Sequence, residues 1–323
     1  MHVSSANRLK LFHEAVVTKN LLGAKLPAFK ANYRVHLFNR RVAEFLMCSM
    51  LIFGGHELII INTFFSPVWP TAGVALSALF LRGNVMLFGI FAGILASYFY
   101  NYSFVFLGIA QAALFTFFIY LVRLFSLILI GPVTPLAEIK TFWKFVLVCA
   151  VLCACHIAAM GILFVQTFQT SMSLYGWSVA WLGELNGILC LTPLTLVFDP
   201  FIAKHYFGKK GLSWQLVALA VLLSHLLYFY AQNGDQSVLL AGGFLIILCL
   251  YALVFGQIPT CMTLFSVSII YIAGALSDAH LFIESSENQH TILVMLLFTL
   301  SIVFSLSIGT YKQQQYYAKH KLN

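Results

Sequence analysis

The chain has 323 residues, of which 61% are hydrophobic and 9% are charged, and its formal net charge at pH 7 is +8. Soluble domains average about 45–50% apolar and about 25% charged residues, so the composition excludes an ordinary soluble enzyme or binding domain. In a soluble protein this charge would suggest nucleic acid, whereas in a membrane protein basic loops face the anionic cytoplasmic lipid surface. We therefore expect membrane lipids, and no nucleic acid, among the partners.

Apolar segments of the length that crosses a bilayer recur along the whole chain. They predict an all-α, polytopic integral membrane helix bundle of about ten transmembrane helices, with a bundle of eight as the alternative. A basic segment, residues 1–41, precedes the membrane domain, residues 42–310, and a short tail, residues 311–323, follows it. In chain order, the predicted spans cover residues 42–61, 68–82, 85–101, 104–129, 142–165, 177–198, 214–230, 238–255, 258–277 and 290–310.

Every lysine and arginine falls on one side of this topology. Because basic residues are retained on the cytoplasmic side of a membrane, both termini are predicted to be cytoplasmic. The basic clusters are residues 8–41, Arg82, Arg123, residues 140–144, residues 204–210 and residues 312–321. The connections without lysine or arginine are residues 62–67, 101–103, 166–176, 231–237 and 278–289.

Glycines at regular spacing indicate where helices approach closely. Two GxxxG spacings occur, one at Gly89 and Gly93 and the other at Gly183 and Gly187. In lipid, small residues let two helix backbones come into contact. Together with Gly73, these glycines are predicted to pack helices within the bundle rather than to form a dimer seam.

Polar side chains inside the predicted spans share one depth. A charge at the centre of a membrane helix costs about 2.5–3.5 kcal/mol on insertion scales, so it is retained where it pairs, lines a cavity or acts. The shared depth predicts a ligand-binding cavity that opens to the outer side, with scattered interhelical hydrogen bonds as the alternative. The predicted site residues are His56, Glu57, Trp69, Pro70, Gln111, His156, Glu184, Asn186 and His225.

All seven cysteines lie inside predicted spans, so we expect no disulfide scaffold. Cys149, Cys153 and His156 share one face of the fifth predicted helix, a geometry that a soft metal or a haem could use. A cysteine in a membrane helix more often behaves as a small hydrophobe. We therefore expect no cofactor and no metal site.

Three stretches resemble the type-one membrane-associated sensor (MASE) family. Residues 68–76 read VWPTAGVAL and are followed by the glycines at 89 and 93. Residues 181–189 read WLGELNGIL and are followed by Pro193 and Leu194. Residues 251–256 read YALVFG, with Val254 where the family usually has an arginine.

The resemblance covers roughly residues 42–310 and implies a bacterial inner-membrane sensory domain, usually fused to a diguanylate cyclase, a histidine kinase or a related output domain. Residues 311–323 are too few to fold such an output domain. The resemblance therefore predicts a sensory or regulatory domain that binds a small ligand or lipid from the extracytoplasmic side. It would signal to a separate protein, in the cytoplasm or in the membrane.

Two other classes of function remain as alternatives. A small-molecule transporter or channel would also have about ten spans and polar residues at one depth. An intramembrane lipid-modifying enzyme is less expected, because the sequence has no P-loop, no GxSxG elbow and no HExxH motif. His56 and Glu57 are adjacent and would point about 100° apart on a helix, which argues against a joint acid–base role. We therefore expect no enzymatic activity, although a serine or threonine facing one cavity with this pair would favour it.

Overall fold

The computed structural model describes residues 27–61, 68–101, 105–131, 135–168, 173–197, 237–276 and 289–321. Within these ranges the protein consists of nine α-helices and contains no strand, so the predicted all-α class is confirmed there. The predicted span 214–230, with His225, lies outside the described residues. The helices are α1 (Pro27–Ile61), α2 (Pro70–Arg82), α3 (Met86–Asn101), α4 (Val105–Ile130), α5 (Ile139–Phe168), α6 (Leu174–Val197), α7 (Ser237–Phe255), α8 (Gln257–Leu276) and α9 (Gln289–Lys321).

The first and last helices are longer than the apolar segments that predicted them. The spans were predicted at 42–61 and 290–310, whereas α1 begins at Pro27 and α9 continues to Lys321. Hydropathy marks only the apolar part of a helix, and helical hydrogen bonding continues into the polar sequence on either side. Proline suits the first turn, because its fixed φ is helical and its missing N–H is not needed there, and α1 and α2 both begin at one.

Among the described residues, four helices are long and apolar enough to cross a membrane by length and composition. Large apolar side chains on the outside of the bundle stay exposed, as at Met50, Phe88 and Phe106, where 70%, 75% and 82% of the residue surface is accessible. Such a surface suits lipid rather than water. The apolar segments are Phe106–Ile130, Ile139–Thr167, Leu174–Leu196 and Ile292–Gln315, and shorter ones are Pro70–Arg82, Met86–Asn101, Gly243–Phe255 and Gln257–Ile269.

The chain divides into two compact units, Met1–Leu46 and Met47–Asn323. In the first unit, Arg40 Nε donates to Glu44 Oε1 at 3.0 Å, one helical turn away. The second unit contains the hydrophobic core and every site residue considered below.

Helix α6 is the central helix of the second unit. It packs against α2, α5, α8 and α9. In its apolar segment 78% of the residues are buried, against 22% in that of α4. Because α6 is surrounded by protein, its polar side chains meet other helices rather than lipid, and one helix can contact several parts of the bundle at once.

Glycines bring α2 and α6 into backbone contact. Trp69 N donates to Gly183 O at 2.9 Å. A Cβ atom on Gly187 would overlap the Trp69 carbonyl group, and one on Gly73 would overlap the Gly187 carbonyl group. Gly93 is equally tight against α1, because its Cβ atom would lie 2.6 Å from Ser49 O. These contacts join helices of one chain, and the contacts between α2 and α6 hold the family-like segments at 68–76 and 181–189 side by side.

Two connections are as short as the sequence predicted. Gly256 alone separates α7 from α8, and its φ of +83° lies in the left-handed region that favours glycine. Gly83, with a φ of +78°, ends α2. The helices on either side of each turn pack against one another.

Candidate ligand-binding site

A cavity of about 60 Å³ lies among the ends of α1 to α6. These ends are the ones joined by the connections at 62–67, 102–104 and 169–172, which contain no lysine or arginine. The walls are chiefly aromatic and aliphatic. The described lining residues are His56, Trp69, Thr71, Ala72, Ile94, Gln111, Phe115, His156, Ile157, Met160, Gly161, Phe164 and Ala180.

A buried histidine–carboxylate pair forms one wall. His156 Nδ1 lies 2.8 Å from Glu184 Oε1 and 3.0 Å from Oε2, and both side chains are almost completely buried. The rings of Phe115 and Phe118 pack against the imidazole, and their centroids lie 5.5 and 5.4 Å from the centroid of the His156 ring. Because the carboxylate occupies Nδ1, only Nε2 of His156 remains available for a hydrogen bond in the cavity wall.

A second polar cluster lies behind His56. Its Nδ1 is 2.9 Å from Ser97 Oγ, and the Ser97 hydroxyl donates to Glu57 Oε1. Asn101 Nδ2 also donates to Glu57, at 2.7 Å to Oε1 and 2.8 Å to Oε2. The prediction that His56 and Glu57 would diverge is therefore incomplete, since Ser97 of α3 lies between the two side chains and joins them.

Three polar atoms on residues that line the cavity are buried without a hydrogen-bond partner among the described residues. They are Thr71 Oγ1, Gln111 Nε2 and His156 Nε2. The Tyr98 hydroxyl donates to Gln111 Oε1, which fixes the amide and leaves its N–H groups for the cavity. Buried polar groups are nearly always satisfied, so three such atoms on residues around one cavity make it the candidate ligand site.

The predicted site residues separate into distinct positions. His56, Trp69, Gln111 and His156 line the cavity. Glu184 and Glu57 lie behind its two histidines, and Pro70 begins α2 next to Trp69. Asn186 contacts α9 instead, where Thr299 Oγ1 donates to its Oδ1 at 2.8 Å. His225 lies outside the described residues.

Several residues of the site were not predicted from the sequence. Thr71 and Ser97 provide hydroxyl groups, and Tyr98 orients Gln111 while its ring lies 5.3 Å from that of His56. Gly161 leaves space for the ring of Trp177, which a Cβ atom there would overlap. The signal that could have identified Ser97 is its i, i+4 spacing from Asn101 at the end of an otherwise apolar helix.

Of the three residues on the predicted cysteine face of α5, His156 lines the cavity, whereas Cys149 and Cys153 are absent from the described lining. Cys149 and Cys153 are buried in the hydrophobic core with free thiols. In the part of the chain that the structure describes, no three His, Cys, Asp or Glu side chains come together as metal ligands.

Comparison with known proteins gives one match. The model of the MASE1 family, a family of membrane-associated sensor domains, matches residues 41–315. No curated protein and no solved structure matches the chain. The matched range includes all described residues of the cavity and all of α2 to α8.

Proposed function

The chain belongs to the MASE1 family of membrane-associated sensor domains, and from that premise we propose that the cavity is its sensory ligand site. The observation that carries the proposal is the group of unpartnered polar atoms, Thr71 Oγ1, Gln111 Nε2 and His156 Nε2, on three buried residues that line the cavity. Trp69, which also lines the cavity, donates to Gly183 O, where the family-like segments at 68–76 and 181–189 meet.

We propose that the cavity is on the extracytoplasmic side of a bacterial inner membrane. The helix ends around it are joined by connections without lysine or arginine, whereas Arg82, Lys140 and Lys312 belong to the opposite ends of α2, α5 and α9. The positive-inside rule places the basic ends in the cytoplasm. Both chain termini would then be cytoplasmic.

Helix α6 offers a route from the cavity to the opposite end of the bundle. Glu184 holds the cavity histidine, and two residues later Asn186 accepts the hydrogen bond from Thr299 of α9. Helix α9 then continues to Lys321. A ligand that binds two packings of α6 with different affinity would change the position of α9, and a ligand with equal affinity would change nothing. We propose that a separate signalling protein detects α9 in the cytoplasm.

The cluster of His56, Ser97 and Glu57 does not favour an enzyme. In a serine nucleophile relay, the histidine accepts the hydroxyl proton and the carboxylate holds the second ring nitrogen. Here Ser97 donates its proton to Glu57, and His56 contacts the same hydroxyl oxygen through Nδ1. The arrangement orients His56 in the cavity wall, so we propose a binding role for it.

Labelling of single cysteines tests which side of the membrane the cavity end of the bundle faces. In a cysteine-free background, Leu174→Cys, at the exposed start of α6, should react with a membrane-impermeant thiol reagent added outside intact cells. Leu306→Cys, which is buried in α9 away from the cavity, is the control and should stay unlabelled. Reaction of Leu174→Cys only when the reagent reaches the cytoplasmic side would refute the proposed orientation.

Crosslinking tests the proposed partner. A photoreactive amino acid at the exposed Gln315 of α9 should trap a diguanylate cyclase, a histidine kinase or a related signalling protein in native membranes. The control position is Phe106, exposed at the other end of the bundle, where lipid adducts are expected. Recovery of only lipid at Gln315, together with solute movement across vesicles containing the purified protein, would support a transporter instead.

A further inference from the structure

We propose that the cavity selects a small uncharged molecule that carries a hydrogen-bond acceptor, such as a carbonyl oxygen, on a short apolar body. The proposal rests on the proposed function, because it concerns the ligand of the same cavity. Its basis is the size of the cavity, the hydrogen-bonding character of its three unpartnered atoms, and the charges around it.

The size of the cavity limits the ligand to a few atoms. A water molecule needs about 10–15 Å³ of cavity volume on the measure used for such spaces. The cavity of about 60 Å³ therefore holds about four to six groups of that size. A drug-sized molecule needs a pocket of about 300–1,000 Å³, so it would not fit unless the helices moved apart.

The unpartnered atoms require an acceptor on the ligand. Gln111 Oε1 already accepts the Tyr98 hydroxyl proton, so only the N–H groups of this amide are left to bond a ligand. The Thr71 hydroxyl can also donate. His156 Nε2 donates when the ring is charged and accepts when it is neutral, and Nδ1 serves Glu184 in both cases. A carbonyl oxygen satisfies Gln111 whichever form His156 takes.

The charges argue against an ionic ligand. The Glu184 carboxylate, which would attract a cation, is held by His156 Nδ1 and is absent from the cavity lining. None of the described lining residues is a lysine or an arginine, and a charged His156 is already neutralised by Glu184, so an anion would be buried without a cation of its own. Burying an ion without a partner costs several kcal/mol of desolvation free energy, whereas a neutral carbonyl group has no such cost.

Three fluorinated probes of nearly equal size test this selectivity. Fluoroacetamide is neutral with a carbonyl group, fluoroacetate is an anion, and 2-fluoroethylammonium is a cation. Each is titrated against the full chain in lipid nanodiscs, and binding is followed by ¹⁹F NMR line broadening, with empty nanodiscs as the blank. We expect fluoroacetamide to bind more than about tenfold more tightly than either ion, because several kcal/mol of desolvation separates them.

Two substitutions test whether the probe binds in the cavity. Thr71→Val and Gln111→Leu remove the hydrogen-bonding groups, and each should weaken fluoroacetamide binding about three- to tenfold, the effect of one lost hydrogen bond. Thr263→Val is the matched control, since Thr263 is equally buried and, in the described part of the chain, its hydroxyl donates to Pro259 O of its own helix at 3.0 Å. It should leave binding unchanged, and the folded state of each variant is checked by circular dichroism.

The outcomes separate this inference from the proposed function. Tighter binding of either ion that is sensitive to Thr71→Val would overturn the neutral class and leave the cavity as a ligand site. Fluoroacetamide binding that neither substitution weakens would also overturn the inference, as would the absence of binding by all three probes. Failure of the proposed function would appear in the labelling and crosslinking results, which do not depend on any probe.

Discussion

Thr71→Val should stabilise the protein in the absence of ligand. Thr71 is 1% exposed, and its hydroxyl has no partner in the described part of the chain. Valine replaces the hydroxyl by a methyl group of similar size, so the packing around Ala72 and Trp69 is kept. A loss of stability would be the usual result of a substitution in a buried position, which makes the expected sign informative.

The magnitude follows from the state of the hydroxyl. A buried polar group without a partner costs about 1–3 kcal/mol, so its removal should raise the free energy of unfolding by up to that amount. Thr263→Val makes the same chemical change at another buried position, where the hydroxyl donates to Pro259 O. That variant loses a satisfied hydrogen bond and should be destabilised by about 0.5–1.5 kcal/mol.

The assay is reversible unfolding in mixed micelles, in which the fraction of sodium dodecyl sulfate is raised and tryptophan fluorescence is recorded. The two valine variants should shift the midpoint in opposite directions from the unmodified chain. If Thr71→Val lowered stability as much as Thr263→Val, the hydroxyl of Thr71 would be satisfied in the protein, and the argument for a polar ligand beside it would fail.

Other substitutions test the packing and the polar contacts around the cavity. Gly187→Ala should prevent α2 and α6 from packing together, because its Cβ atom would overlap the Trp69 carbonyl group. Gly243→Ala in α7 is the control, because its Cβ atom meets nothing within 4 Å, and it should raise the free energy of unfolding by about 0.5–1 kcal/mol. Expression levels and size-exclusion profiles of the two variants are compared. Glu184→Gln should lower the free energy of unfolding by about 3–5 kcal/mol if it leaves His156 charged and unpaired. In the same unfolding assay, the double variant with His156→Gln should lose less stability than the two single variants lose together. Full additivity would show that the pair does not interact. Asn186→Leu should leave fluoroacetamide binding unchanged but reduce crosslinking from Gln315, because it removes the contact with Thr299 rather than a cavity group. Equal loss of binding and of crosslinking would contradict a role of Asn186 in signalling alone.

The sequence predicted the helices well because a membrane helix requires a long apolar segment. Nine of the ten predicted spans correspond to described helices, and the span 214–230 lies outside those residues. The ends of α1 and α9 were missed for the same reason, since hydropathy changes before helical hydrogen bonding ends. The number of segments that cross the membrane, and the side on which each terminus lies, stay predictions.

The sequence predicted a common depth in the membrane for the site residues, but not the direction in which each side chain points. Hydropathy and topology place Gln111, His156 and Asn186 at one level, yet they do not show which way each side chain points around its helix. The structure directs the first two to the cavity and Asn186 to Thr299. Thr71 and Ser97 could not be selected from the sequence, because serine and threonine in helices often bond only to their own backbone, as Ser77 does to Gly73 O at 2.6 Å.

A density map of the full chain, purified from native membranes and kept in nanodiscs, would show whether the cavity holds a ligand. We expect a compact non-protein density between Thr71, Gln111 and His156, within hydrogen-bonding distance of Gln111 Nε2 and too small for a lipid chain. A map in which protein side chains fill this space and pair with Thr71 Oγ1, Gln111 Nε2 and His156 Nε2 would contradict it. The chain would then have no ligand site where the family-like segments at 68–76 and 181–189 meet.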